Sequence, residues 1–86
     1  MTYQDIIENA KLISNIESTT TTGDIDYPGT ALEISDQQGV ELFHIVIDKS
    51  GCIQVLFFAN KENYRMPLEL LEKIIVKARE IVKKVE

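Results

Sequence analysis

The segment Val40–Phe58, VELFHIVIDKSGCIQVLFF, decides the fold. It divides at Asp48-Lys49-Ser50-Gly51 into two apolar runs, Glu41–Ile47 and Cys52–Ala59. Both are rich in β-branched and aromatic residues, which favour extended backbone. A type I turn followed by Gly51 at positive φ would join them as a hairpin. A strand with one wet face alternates apolar and polar residues. These strands do not alternate, so both faces of the hairpin call for cover. Phe43, Ile45 and Ile47 point one way, and Leu42, His44 and Val46 the other.

Upstream, Thr30–Ser35 (TALEIS) does alternate, which predicts a strand with one solvated face at a sheet edge. Asp36-Gln37-Gln38-Gly39 turns it back towards Glu41. Three strands on short loops make an antiparallel meander. Ser18–Asp26 (STTTTGDID) reads as a polar linker, with a short edge strand as the alternative.

Helices flank the meander. Thr2 caps the first, with Asp5 three residues on in the capping-box position. Tyr3, Ile6, Ile7, Ala10 and Ile13 carry its apolar stripe to about Ile16. The second starts at Met66-Pro67 and runs to Val85. Its stripe is Leu68, Leu71, Ile75, Ala78, Val82 and Val85, widened by Leu70, Ile74 and Ile81. The fold class is therefore α+β, one domain over residues 1–86. Its elements are helix 2–16, linker 18–26, strands 30–35, 41–47 and 52–59, and helix 67–85.

This is little covering material for a sheet with two apolar faces. A chain of 86 residues buries only about 60% of its unfolded surface. Either one helix covers each face, or both pack on one and the other, carrying either Phe43, Ile45 and Ile47 or Leu42, His44 and Val46, is left for another chain.

The net charge is −5, unevenly spread. Residues 1–60 hold nine acids against two bases, and residues 61–86 hold seven bases against five acids. An acidic body repels phosphate backbones and suits a basic protein partner. No apolar run reaches the length of a membrane span and no basic-then-apolar leader opens the chain, so a membrane or secretory role is not expected. The single cysteine, Cys52, excludes an internal disulfide and fits the cytoplasm.

Catalytic signatures are scarce. The four glycines form neither a dinucleotide fingerprint nor a phosphate loop. His44 would need a nucleophile or an orienting carboxylate, which a neighbouring strand could supply. Cys52 lacks an evident cation to lower its pKa. One His and one Cys fall short of the three or four N or S ligands of a zinc site. Asp24 and Asp26 could offer oxygens to calcium but lack the rest of an EF-hand loop. No cofactor and no metal are expected. Tyr64 and Arg65, at the junction of the last strand and helix, belong to the residue types that anchor interfaces.

The expected function is a small acidic protein-binding module, with an inhibitor or immunity-type protein that neutralises a basic partner as its concrete form. Its candidate contact residues are Leu42, His44, Val46, Tyr64, Arg65, Asp24 and Asp26. The alternatives are a homodimeric adaptor without a ligand and a small-molecule or enzymatic domain. The last would use a cleft between the sheet and the first helix, lined by His44 and Tyr64.

Overall fold

A computed structural model describes residues 1–24 and 27–83. In chain order the elements are α1 (Tyr3–Asn9), β1 (Lys11–Leu12), β2 (Glu17–Asp24), β3 (Tyr27–Ser35), β4 (Glu41–Ile47), β5 (Ile53–Phe57), β6 (Tyr64–Arg65) and α2 (Leu68–Ile81). The architecture is α+β. Strands β2-β3-β4-β5 form an antiparallel meander in that order, and β1 pairs with β6 in a separate parallel ribbon.

The meander thus has four strands rather than three. Glu17–Asp24 is a strand, not a linker, because a run of four threonines is polar yet strongly favours extended backbone. It pairs with β3 from Glu17 opposite Ser35 to Asp24 opposite Tyr27. Consequently β3 is interior, and the edges are β2 and β5.

Two turns of one design join β3, β4 and β5. Asp36 and Asp48 each open a D-x-x-G-x loop, DQQGV and DKSGC. In each, the Asp side chain accepts the amides of the residues two and four positions on, at 2.9–3.0 Å. Gly39 and Gly51 then take φ of 86° and 90°, where any other L-residue is strained. Val40 and Cys52 accept the amides of Asp36 and Asp48 at 2.9 Å, closing each loop.

These bonds depress both carboxyl pKa values. The Val40 amide is the main cause at Asp36, helped by Gln38 and Lys11 against the opposing effect of burial. At Asp48 the Ser50 hydroxyl leads, followed by the Cys52 amide, Gln54 and the Ser50 amide, and the pKa falls to about 2. An unfolded Asp titrates at about 3.9. Asp48 therefore contributes stability that is complete above about pH 4 and lost as pH falls through about 2. Asp48→Asn is expected to show a flatter melting temperature than wild type between pH 4 and pH 2. Parallel curves would refute the assignment. Asp36 is the more buried of the two and also ion-pairs with Lys11 at 3.2 Å. In thermal melts at neutral pH, Asp36→Ala should accordingly lose more than Asp48→Ala.

The first helix is shorter than its stripe. It starts as expected, with Thr2 and Asp5 in a reciprocal capping box. It stops at Asn9 because the next residues find other partners. The amides of Lys11 and Ile13 donate to the carbonyls of Asn63 and Arg65 at 2.8 Å, zipping β1 onto β6. Ile13 enters the core from this extended segment, whereas no residue of α1 is buried. Hence α1 does not shield the sheet. The radius of gyration, 14.5 Å, exceeds the roughly 12 Å of a compact domain of this length, and the β2–β3 hairpin runs past its last pairing with β4 at Leu32.

The core lies between α2 and β3–β4: Leu32, Ile34, Phe43 and Ile45 from the sheet, Ile74, Ala78 and Val82 from the C-terminal segment, with Ile13 and Leu42. The buried helix stripe passes through Ile74 and Ala78, so Leu68 and Ile75 lie further out than the sequence spacing predicts. Helix α2 ends at Ile81, and Val82 is buried from extended backbone. The Thr30 amide donates to the Lys83 carbonyl at 2.9 Å, which draws the chain onto the start of β3. The predicted helical turn at residues 84 and 85 lies outside the described residues.

Candidate functional site

Two features of the sheet stand out: a polar cluster on the face away from α2, and the edge strand β5.

The cluster is built by a β-bulge. In a regular strand Glu41 and His44, three apart, would lie on opposite faces. The register places Ser35 opposite Glu41 and Ile34 opposite Phe43, so Leu42 is an extra residue. That extra residue has two effects. Leu42 joins Phe43 in the core, and Glu41 falls on the same face as His44. Glu33 sits directly across from His44 on β3. One ligand atom from each of Glu33, Glu41 and His44 lies within 4.8 Å of the others.

The imidazole is held tightly. The His44 side chain is 16% exposed, and the Phe58 ring meets it edge-on at 4.6 Å between centroids. Its Nε2 is fully buried and makes no hydrogen bond, although Glu41 Oε1 lies 3.3 Å away. Leaving such an atom unsatisfied costs about 1–3 kcal/mol. Thr21 Oγ1 on β2 donates to Glu33 Oε2 at 2.5 Å and fixes that carboxylate.

The second feature is the edge strand Ile53-Gln54-Val55-Leu56-Phe57. Ile53, Val55 and Phe57 oppose Ile47, Ile45 and Phe43, so they share the face that α2 covers elsewhere. Yet they and Leu56 remain 46–73% exposed. The cause is the position of α2. Lys77 Nζ donates to Ser18 Oγ on β2 at 2.9 Å, and Lys83 pairs with Thr30 on β3, so the helix is held to the β2–β3 side. Between β5 and α2 lies a cavity of about 310 Å³ lined by Ile45, Ile53, Val55, Ile75, Ala78 and Arg79. A larger cleft of about 400 Å³ opens at the end of the sheet.

The sequence-derived candidates fall in different places. Leu42 is buried in the core, and Val46 is half-buried on the face that carries His44. Tyr64 packs partly against the core, and Arg65 is exposed; both line the 400 Å³ cleft with Leu42 and Phe57. His44 does not line that cleft. Asp24 ends β2, and Asp26 lies outside the described residues. The cleft expected between the sheet and the first helix is not formed by α1, which buries no residue. Glu33 and Glu41 escaped the sequence reading, because only the bulge brings them beside His44. Among the described residues, no helix is long and apolar enough to cross a membrane. No family model, curated protein or solved structure matches the chain.

Proposed function

We propose that the chain is a small, acidic, non-enzymatic protein-binding module of the cytoplasm, which takes an extended segment of its partner onto β5. The observation that carries this reading is the edge itself. Ile53–Phe57 ends the sheet, is apolar and exposed, and has neither a charge nor a proline within it. Protein edges are ordinarily blunted by those devices, so an unprotected one fits strand addition. The alternation of Ile53, Val55 and Phe57 beside the α2 cavity would select apolar residues at every second position of the partner.

The surplus of acids over residues 1–60 favours a basic partner, and an inhibitor or immunity-type role is the concrete form proposed. The exposed free thiol of Cys52 accords with a reducing compartment. Self-pairing is the second reading. A two-fold axis through Val55 would set Val55 against its own copy and Ile53 against Phe57, all on the helix-side face.

Affinity capture from native cytosol at low salt, with wild type and Val55→Lys, Phe57→Lys baits side by side, tests the proposal. A stoichiometric protein retained by wild type and lost by the variant is expected, with an association rate that falls steeply as salt rises. Equal recovery on both baits, or none on either, would overturn it. Light scattering at micromolar concentration separates the readings, since a dimer abolished by the same substitutions points to self-pairing.

A further inference from the structure

We infer that Glu33, Glu41 and His44 form a binding site for one divalent first-row cation, with Zn²⁺ the best fit. The inference is independent of the β5 edge and concerns the sheet face away from α2.

Four observations converge on it. The donor set is one imidazole nitrogen and two carboxylates, the mixed N/O chemistry of zinc and its neighbours; an imidazole is a poor ligand for magnesium or calcium. His44 Nε2 and Glu41 Oε1 stand 3.3 Å apart, about the edge of a tetrahedron with metal–ligand bonds near 2.05 Å. The buried Nε2 makes no hydrogen bond and has Glu41 Oε1 beside it, so with the proton on Nδ1 it presents a lone pair to the cluster. Glu33 is already oriented by Thr21, the outer-shell support typical of ligating carboxylates.

The ligand atoms, all within 4.8 Å of one another, must draw together to close around one ion. Glu41 is exposed at the start of β4, so its side chain can supply the movement. Two carboxylates then balance the dication, and the three protein ligands leave a fourth position for water or a donor from a partner. The bulge at Leu42 is what makes the site, since it alone sets Glu41 and His44 on one face.

The test uses the full chain, stripped with a chelator and titrated first with Co²⁺ and then with Zn²⁺. One saturable equivalent is expected, with the visible absorption of low-symmetry four-coordinate cobalt, displaced by Zn²⁺ and removed again by chelator. His44→Ala and Glu33→Gln should each weaken binding by about tenfold or more, and Thr21→Val by about tenfold. Cys52→Ser and Asp48→Asn should bind as wild type. Should His44→Ala fail to fold, the wild-type imidazole ¹⁵N resonances decide, because Zn²⁺ must shift Nε2. Absence of a saturable equivalent, unchanged binding in His44→Ala, an unshifted Nε2 or loss of binding in Cys52→Ser would each overturn the assignment.

Discussion

Leu32→Ala is expected to cost about 3–4 kcal/mol of folding stability. Leu32 is fully buried at the centre of β3, opposite Ile45 and against α2. Truncation removes its transfer free energy and leaves a cavity that a sheet strand paired on both sides cannot easily close. The whole domain should be worth only about 4–13 kcal/mol at this length. The core rests on a single helix, since α1 buries nothing. Chemical denaturation should therefore show the midpoint falling sharply with little change in slope. A loss below about 1 kcal/mol would mean that Leu32 is not at the centre of the packing.

The elements that were legible in the sequence are those set by local chemistry. Glu41–Ile47 is found with its predicted bounds, and the turn glycine Gly51 has its expected positive φ. Thr2 and Asp5 form the capping box their spacing implies. What was not legible depends on distant partners. The stripe through Ala10 and Ile13 looks helical until β6 takes the amides of Lys11 and Ile13. The threonines of β2 look like linker until β3 pairs with them. The Glu33–Glu41–His44 cluster is hidden more deeply. Period-two counting places Glu41 opposite His44, and only a two-against-one register at Leu42 reverses that parity. Neither face foreseen for another chain is bare: Leu42, Phe43 and Ile45 are buried, and His44, Val46 and Ile47 are half-buried. The exposed apolar surface lies on β5 instead, with Ile53, Val55 and Phe57 on the helix side and Leu56 on the face carrying Val46, because α2 sits over β3 and leaves the last strand bare.

That bare strand gives the second large effect, and it runs opposite to the first. Val55→Lys with Phe57→Lys is expected to cost about 1–2 kcal/mol of folding stability, well below Leu32→Ala, because both side chains are largely exposed and the main loss is the tilted contact of the Phe57 ring with Phe43. Val55 is 46% exposed and Phe57 73%, so a lysine at either place can extend into water. In a complex formed by strand addition, the same two positions stand beside the side chains of the incoming strand, between it and α2. Each ammonium then has to be desolvated without a carboxylate to receive it, at about 2 kcal/mol or more. At about 1.4 kcal/mol per decade, the pair should weaken association at least about a hundredfold. Leu32→Ala should instead lower the folded fraction while leaving the affinity of the folded molecules unchanged. Parallel denaturation and binding titrations on the two variants therefore separate the core face of β3 from the proposed docking face of β5. If the lysine pair destabilised the fold as much as Leu32→Ala, then β5 would be structural and the edge would not be the contact surface.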